Sequence, residues 1–559
     1  MIVRLIVALF LMSPALAEQD SYNQPWRPQY HFTPAKNFMN DPNGMVFYKG
    51  EYHLFYQFNP EGQVWGHMSW GHAVSTDMVY WQHLPLAIAE DRNYMIYSGS
   101  AVVDWNNSSG LCKNPDPQDH SCLIAIYAAD YHQKQEKTHI AYSNDRGRTW
   151  TNYSGNPVID VDADDFRDPY VFWYAPQKKW VLVAVLADHR KAVFFSSNDL
   201  KHWTKTSEFG PAGDDAGQWE CPLLLDLEIE GTKGHRGVLV INRNPGAPAG
   251  GTGVRYLIGH FDGSTFVEKE SAGKKLWADY GKDFYATNTF NDMPKGDDRR
   301  VWIGWTSNWL YAKDEPTVLW RGAQSIPRSL TLRRIDNQVL MVQAPVRELD
   351  GLREGVFHLS DVTVEKANAA IAGAGLTGEI YEIEAEIDTA GANEVGFRLR
   401  KGDVVETVVG VQPVTNMLFV DRTKSGNVSF SKDFPGRFST TLSNMKRVKL
   451  YIFVDRSSVE VFANDGEKVM TNRIYPPPGS TGIELYSIGG AGRVVSLSYW
   501  PLQSIWARGS RRVPRSAPQK KAPTWVPHEV HGRFDVDVIP ESVLDGPPLR
   551  VLDGRHQHR

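Results

Sequence analysis

Short apolar runs alternate with turn residues along most of the chain, and helical periodicity is almost absent. Runs such as MVFYKGEYHLFYQF, CLIAIYAAD and KWVLVAVL are separated by clusters of Gly, Pro, Asn and Asp. Segments of this length that are rich in β-branched and aromatic residues, and that are bounded by turn residues, are typical of β-strands. The pattern therefore predicts an all-β protein.

A weak repeat runs through residues 30–345. The segments STDMVYW (75–81), SNDRGRTW (143–150) and SNDLKHW (197–203) share a Ser, an Asp and a closing Trp, and each follows an apolar strand. Their spacing of roughly 55–70 residues matches one propeller blade of four strands. We therefore predict a five-bladed β-propeller over residues 27–345, in preference to a sandwich built from similar hairpins.

The pattern changes after residue 355, where the strands become shorter and alternate cleanly between apolar and polar positions. GEIYEIEAEIDT and RVKLYIFVDRSSVEVFANDGE are examples, and such strands are typical of a β-sandwich. We predict a C-terminal β-sandwich over residues 355–505. Residues 507–559 are rich in Pro, Arg and Lys and have no sustained period, so we expect a disordered tail.

The first residues predict export. MIVRLIVALFLMSPALAEQD carries one Arg, an apolar run and a small-residue site at Ala15-Leu16-Ala17, which together are typical of a secretory signal peptide. We assign residues 1–17 to this signal and expect a soluble protein that is secreted to the extracellular or periplasmic space. No later apolar run is long enough to span a membrane.

Composition narrows the class of partner. The net charge of -5 argues against nucleic acid, and 18 Trp in a chain that is 12% aromatic suit either core layers or platforms on which sugars stack. Composition does not decide between these two uses of the aromatic residues, and the oligomeric state stays open. Among the Cys residues, Cys112 and Cys122 lie close enough along the chain to form a bridge in an oxidising compartment, but free buried thiols are an equal alternative.

Three acidic residues stand out because each begins the strand that follows a turn. Asp41 lies in NDPNG, where turn chemistry alone would explain the sequence. Glu220 lies between an indole and an apolar strand in GQWECP, which suits a general acid, although a solvent-facing strand end is the plainer interpretation. Asp168 follows Arg167 in RDP, and the guanidinium is expected to keep Asp168 ionised.

The three acids fall in three successive blade-sized segments. The innermost strands of a propeller converge at one end of its channel, so the carboxylates are expected to meet there, which is costly unless they are used. Two carboxylates that flank a sugar are the arrangement for glycoside hydrolysis. No phosphate loop, Ser-His-Asp order or zinc spacing competes. The segment DVDADD (160–165) lacks the EF-hand spacing, so we predict neither a metal nor a cofactor.

The motifs NDPNG, RDP and ECP occur in this order along the chain. They are accompanied by YSGSAV (97–102), WIGWTSNWLYA (302–312) and WRGAQSIPRSLTL (320–332). Over residues 27–505 this set resembles glycoside hydrolase family 32, the β-fructofuranosidases.

The resemblance implies a role for each acid. Asp41 is expected to be the nucleophile and Glu220 the acid/base, while Asp168, oriented by Arg167, stabilises the transition state through fructose hydroxyls. Members of the family retain configuration, which implies that the carboxyls of Asp41 and Glu220 lie about 5–5.5 Å apart. By the same resemblance the fructose subsite is lined by Asn40, Gln57, Trp65, Ser100, Arg167 and Trp305. The resemblance implies no cofactor.

The substrate is predicted from the rim of the site. DYGKDFYA (279–286) and WTSNWLYA (305–312) are similar to the exo-acting fructan hydrolases, the inulinases and levanases. Tyr280, Trp309 and Tyr311 offer a stacking surface for a second fructose, unless they belong to the core. We therefore expect release of terminal fructose from inulin and levan, with sucrose also cleaved.

Two alternatives stay open for the function. A sucrose-preferring invertase is the alternative within the family. A propeller that binds fructans without cleaving them is the alternative of another class, but such a module would not need all three acids.

Overall fold

Strands dominate the part of the chain that the structure describes. The structure is a computed structural model that describes residues 22–113, 118–132, 134–213 and 217–506. Within these residues five β-sheets are formed by the first part of the chain and two by the last part, and one α-helix is present. The all-β prediction is confirmed. The predicted signal peptide and the predicted tail lie outside the described residues.

The first sheet contains both the first strand of the fold and a strand from much later in the chain. Its strands are β1 (Asn37–Tyr48), β2 (Glu51–Asn59), β3 (Ser69–Ser75), β4 (Gln82–Ile88) and β20 (Trp320–Arg321). The first four form an antiparallel meander, and β20 pairs in parallel with β1. Along the chain, β20 follows the second strand of the fifth sheet and precedes the third. Its pairing with β1 therefore joins the fifth sheet to the first.

The next four sheets are antiparallel. The second contains β5 (Met95–Asp104), β6 (Cys122–Asp130), β7 (Glu136–Ser143) and β8 (Thr151–Asn152), and the third contains β9 (Phe166–Tyr174), β10 (Lys179–Leu186), β11 (Lys191–Ser197) and β12 (Thr204–Phe209). The fourth contains β13 (Gln218–Glu228), β14 (His235–Asn244), β15 (Gly253–Phe261), β16 (Phe266–Glu268) and β17 (Leu276–Trp277). The fifth contains β18 (Tyr285–Thr289), β19 (Arg300–Trp305), β21 (Arg328–Ile335) and β22 (Gln338–Pro345). Of the two alternatives for the cysteines, the structure shows the disulfide between Cys112 and Cys122.

The five sheets stand in a ring. The first strand of each sheet, namely β1, β5, β9, β13 and β18, contacts the first strand of the next sheet, and β18 contacts β1. These inner strands form their backbone ladders within their own sheets. Few backbone hydrogen bonds cross between sheets in the described residues, among them Ile96 N–H to the Met68 carbonyl and Trp219 N–H to the Ala187 carbonyl. Side chains make further contacts between neighbouring inner strands.

Buried amide and hydroxyl groups make these contacts between sheets. Asn288 Nδ2 donates to the carbonyls of Pro42 and Gly99, and so joins β18 to β1 and β5. Ser100 Oγ donates to the carbonyl of Pro169, which joins β5 to β9. A carbonyl buried at these positions without a donor would destabilise the folded state. The hydrogen bonds therefore fix the positions of neighbouring sheets relative to one another.

The last two sheets pack face to face as a sandwich around one apolar core. One contains β23 (Phe357–Thr363), β24 (Tyr381–Asp388), β29 (Arg447–Asp455), β30 (Ser458–Ala463), β31 (Lys468–Arg473) and β33 (Arg493–Pro501), and the other contains β25 (Glu394–Lys401), β26 (Thr407–Gln412), β27 (Met417–Asp421), β28 (Arg437–Thr441) and β32 (Gly482–Ile488). The helix α1 (Val364–Gly373) is capped by the Thr363 side chain and packs on this core. Short 3-10 turns lie at Ala175–Gln177, Arg347–Leu352 and Pro413–Thr415. None of the described helices combines the length and the apolar character needed to cross a membrane.

A buried group of charges joins the sandwich to the ring of sheets. Arg328 on β21 is 0% exposed and donates to Glu460 on β30 and to Asp279, the latter at 3.1 Å. His31 lies between two carboxylates: its Nδ1 is 2.8 Å from Asp455 and its Nε2 is 2.8 Å from Glu460. Removal of one member of such a group leaves a buried charge without its partner, which is strongly destabilising. The two parts of the molecule are therefore expected to unfold together.

The charge of His31 is expected to make the free energy of unfolding depend on pH. Burial alone would lower the pKa of His31, but the hydrogen bonds and charges of Asp455 and Glu460 together raise it to about 9. An unfolded His titrates near 6.5, so this stabilisation is complete below that pH and is lost as the pH rises to about 9, a change of about 3 kcal/mol. We expect the denaturant midpoint to fall over this window in the native sequence, and we expect His31→Gln to be less stable at acidic pH and to lack this fall. Equal slopes in the two proteins would contradict the assignment.

Candidate active site

The inner strand of each sheet in the ring carries a β-bulge. In all five cases three residue steps on the inner strand lie opposite two steps on its neighbour. The bulges span Met39–Pro42, Ile96–Gly99, Arg167–Tyr170, Glu220–Leu223 and Tyr285–Asn288. A bulge changes the direction of the side chains beside it, and side chains from all five bulges line one pocket.

The pocket has a volume of 440 Å³. The bulges contribute Asn40, Asp41, Tyr97, Ser98, Arg167, Asp168, Glu220 and Tyr285 to its lining, and Gln57, Trp65, Glu136, Asn244 and Trp309 complete it. The structure thus brings the three predicted acids together with two indoles. This combination offers charged groups for chemistry and apolar faces for a sugar ring.

Asp41 accepts hydrogen bonds on both of its carboxyl oxygens. Asn40 Nδ2 lies 2.9 Å from Oδ1, whereas the Ser98 hydroxyl at 2.6 Å and the Cys221 thiol at 3.5 Å both donate to Oδ2. Burial raises the pKa of Asp41 to about 7 even though the Ser98 hydrogen bond opposes the rise, and the neighbouring carboxylates add to it. Asp41 is therefore held in place by donors but is a weaker acid than an exposed Asp.

Asp168 shows that burial outweighs the charge of its neighbour in sequence. Asp168 is 7% exposed, its φ of 60° lies in the left-handed region, and its Oδ2 accepts from the N–H of Cys221 at 2.8 Å. Burial raises the pKa of Asp168 to about 6, and Arg167 offsets this only in part. Arg167 Nε lies 4.0 Å from Asp168 Oδ2, which is ion-pair distance without a hydrogen bond, and its charge favours the ionised form of Asp168 as expected.

Arg167 turns towards Glu220 instead. Its Nη2 donates to Glu220 Oε1 at 3.1 Å and to Gln218 at 3.3 Å, while its Nη1 lies 3.4 Å from a carboxylate oxygen of Glu136. The hydroxyl of Tyr285 donates to the other oxygen of Glu220. Each oxygen of Glu220 therefore has one donor, and the carboxyl group is fixed in orientation.

The predicted subsite residues divide into two groups. Asn40, Gln57, Trp65 and Arg167 line the pocket, and their contact with fructose stays a prediction. Ser100 is 0% exposed and uses its hydroxyl to join β5 to β9. Trp305 is also 0% exposed and packs against Trp309, with ring centroids 4.7 Å apart. Direct contact of Ser100 or Trp305 with a substrate is therefore corrected to a role behind the pocket wall.

Sequence reasoning missed lining residues that lie next to those it chose. Within YSGSAV it chose Ser100, whereas the bulge turns Ser98 towards Asp41. Within DYGKDFYA it chose Tyr280, whereas Tyr285 reaches the pocket. Tyr285 begins the inner strand of the fifth sheet. The signal in the sequence that points to Tyr285 is its place at the start of this strand, the position expected for the three acids.

Of the three aromatic residues predicted at the rim, one lines the pocket. Trp309 is part of the lining. Tyr311 is 0% exposed and donates to Asp283, and Tyr280 packs against the core of the sandwich. Of the three, Trp309 is therefore the one placed at the pocket, and Tyr280 and Tyr311 are structural.

His, Cys, Asp and Glu side chains converge closely enough for a metal ion at one place in the described part of the chain, at Glu61, His67 and Glu90. Glu61 and His67 are exposed, and His67 Nδ1 lies 2.6 Å from Glu90. These residues do not line the pocket, so they are not part of its chemistry.

A ring of sheets with a sandwich beside it, and a pocket that brings three carboxylates together with indoles, define the molecule as a glycoside hydrolase. The comparisons with known proteins agree. The models of the glycosyl hydrolases family 32 N-terminal domain and C-terminal region match residues 31–345 and 348–501. The chain belongs to glycoside hydrolase family 32.

Similar proteins cover most of the chain. A levanase from Bacillus subtilis is 46% identical over 513 residues, which are 90% of this chain and 75% of the levanase. An extracellular exo-inulinase from Aspergillus niger is 37% identical over 541 residues, which are 90% of this chain and 99% of the relative. The crystal structure of the exo-inulinase from Aspergillus awamori superposes with a TM-score of 0.80 at 35% identity, covering 87% of this chain and 100% of that one. The predicted class of fold, a β-propeller followed by a β-sandwich, is confirmed by this likeness.

The thiol of Cys221 is expected to be unreactive in the folded protein. Cys221 is 9% exposed, and burial raises the pKa of its thiol well above the ordinary value. We expect a chromogenic thiol reagent to leave the native protein unmodified at neutral pH, and to detect one thiol per chain after unfolding without reductant, because Cys112 and Cys122 are bridged. Rapid reaction of the native protein, or three thiols after unfolding, would contradict this.

Proposed function

We propose that the protein is a retaining β-fructofuranosidase that releases terminal fructose from β-fructans and from sucrose. The observation that carries the proposal is the convergence of Asp41, Asp168 and Glu220 in one pocket. The relatives that are named levanase and exo-inulinase support the class of substrate. The three acids support a glycosidic mechanism.

In the first step Asp41 attacks the anomeric carbon of the fructosyl group. The bond from this carbon to the leaving oxygen breaks, and Glu220 gives its proton to that oxygen, so the rest of the substrate leaves as an alcohol. Ser98 and Cys221 both donate to Oδ2 of Asp41. Among the described residues, Oδ1 accepts a single hydrogen bond, from Asn40. In this proposal Oδ1 is therefore the oxygen that attacks.

In the second step a water molecule replaces the alcohol. Glu220, now a carboxylate, takes a proton from the water, whose oxygen attacks the anomeric carbon and displaces Asp41. Fructose leaves with its original configuration. The donors Tyr285 and Arg167 keep the two oxygens of Glu220 in place while its protonation state changes.

Asp168 acts on the sugar rather than on the breaking bond. The transition state carries positive charge on the fructosyl ring, and a carboxylate that accepts from ring hydroxyls stabilises that charge. The N–H of Cys221 and the left-handed backbone hold Asp168 in one orientation. A group that is held in advance does not have to reorganise during the reaction.

The surroundings of the pocket favour attack at the end of a chain. Side chains from all five sheets surround it, which suits one terminal fructose better than an internal segment of a polymer. Trp309 offers a face on which the next unit stacks. An invertase that is confined to sucrose is the second candidate within the family, and a fructan-binding module leaves the three acids without a purpose.

The proposal extends to location and domain roles. Secretion is supported by the apolar N-terminal segment at residues 1–17 and by the extracellular exo-inulinase relatives. We assign catalysis to residues 27–345, since every residue that lines the pocket lies there. We assign residues 355–505 to the sandwich, which is joined to the ring by the buried ion pairs Arg328–Glu460 and Arg422–Asp283.

Products from three substrates test the proposal. We expect purified protein to release fructose alone from inulin and levan, and to cleave sucrose, when early products are separated by chromatography. Asp41→Ala is expected to lose about 10⁴-fold or more in kcat on each substrate without a change in melting temperature, whereas Asp262→Ala, an exposed Asp outside the pocket, serves as the matched control. Short oligosaccharides among the early products would show endo action, and activity on sucrose alone would show an invertase. Substantial turnover by Asp41→Ala would contradict the assignment of Asp41 as the nucleophile.

The proton donated by Glu220 predicts a dependence on the leaving group. Glu220→Ala is expected to lose about 10²–10⁴-fold in kcat/KM on sucrose and fructans, but far less in kcat/KM on an aryl fructoside, because kcat/KM reports the first step and that leaving oxygen needs little protonation. Initial rates on the two classes of substrate provide the measurement. Equal losses on both would argue against Glu220 as the acid.

A further inference from the structure

Glu136 is a fourth carboxylate in the pocket, and neither the sequence motifs nor the mechanism above gives it a task. It is the first residue of β7 and is 5% exposed. Its backbone N–H donates to the carbonyl of Ala163 at 3.1 Å, so its position is set by main-chain structure. Its side chain lines the pocket together with Arg167 and Glu220.

The guanidinium of Arg167 divides its donors between two sides of the pocket. Nη2 donates to Glu220 at 3.1 Å and to Gln218 at 3.3 Å, on β13. Nη1 points the other way, and its acceptors in the described part of the chain are the two oxygens of Glu136, at 3.4 and 3.5 Å. Glu136 is thus what holds Nη1 away from the side of the pocket where Glu220 lies.

This division matters for a group that must deliver a proton. A guanidinium that pairs with both oxygens of a carboxylate is planar, bidentate and strong, and it would hold Glu220 as the carboxylate. In the structure Glu220 has one oxygen on Arg167 and the other on the hydroxyl of Tyr285. The single contact orients Glu220 without locking it into a bidentate pair.

We propose that Glu136 is a positioning residue that holds Arg167 by Nη1 and so keeps Glu220 free to protonate the leaving oxygen. The proposal rests on the acid role of Glu220 proposed above. Without Glu136 the guanidinium closes onto Glu220, and donation of the proton becomes the slow step.

The protonation of Glu136 indicates which substitution preserves this role. Burial raises the pKa of Glu136 to about 8, and the charge of Arg167 opposes the rise only in part. Burial therefore favours the neutral acid, which still has an oxygen that accepts a hydrogen bond from Nη1. A Gln side chain has the same shape, the same charge and the same acceptor.

Three variants test the proposal with sucrose and with an aryl fructoside as substrates. Glu136→Ala is expected to lose about 10–100-fold in kcat on sucrose, since small displacements of catalytic groups have effects of this size, with little change in KM. It is expected to lose less than about threefold on the aryl fructoside, which needs little protonation. Glu136→Gln is expected to stay within about threefold of the native protein on both.

Glu51→Ala is the matched control, because Glu51 also pairs with an arginine, Arg148 at 2.7 and 2.8 Å, and also begins a strand, but lies outside the pocket. It is expected to keep native kinetics. Equal losses of Glu136→Ala on both substrates, the absence of any loss on sucrose, or failure of Glu136→Gln to restore activity would each overturn the proposal. Failure of the proposed function would appear separately, in the native protein, as the absence of fructose release.

Discussion

The ring of sheets depends on a small number of buried side-chain hydrogen bonds. The inner strands pair through the backbone with their own sheets, so carbonyls that face a neighbouring sheet need another donor, and each one left without it costs about 1–3 kcal/mol. Asn288 and Asn291 each donate to two such carbonyls on different sheets, and Ser100 joins a further pair. The relative positions of the sheets, and with them the geometry of the pocket, follow from these few groups.

The site that the ring encloses is electrostatically unfavourable before substrate binds. Four carboxyl groups line the pocket, and Arg167 is the one cation among the residues that line it. Burial therefore raises the pKa of Asp41, Asp168 and Glu136. The compensation comes from fixed donors, including the N–H of Cys221 and the hydroxyls of Ser98 and Tyr285. Such donors are in place before charge develops in the reaction, which is how preorganised sites lower a barrier.

Local patterns in the sequence were enough to predict the class of fold and the acids. The recurring Ser, Asp and Trp turns indicated repeated sheets, and the change to clean alternation after residue 355 indicated the sandwich. Asp41, Asp168 and Glu220 were selected because each was expected to begin the strand after a turn. In the structure they lie a few residues inside the inner strands β1, β9 and β13, so the expected strand starts are corrected by two to four residues. These features are local, and local preferences of turns and strands carry them.

The chain by itself determined which residues are available and which strands they occupy, but only the tertiary structure decided where they point and how they titrate. Strand periodicity puts Ser98 and Ser100 on one face, and the bulge in β5 separates them. Arg167 donates a hydrogen bond to Glu220, 53 positions away, but reaches Asp168 beside it only at ion-pair distance. Burial and neighbouring charge arise from the packing of distant segments, and they set the protonation of Asp41 and Asp168.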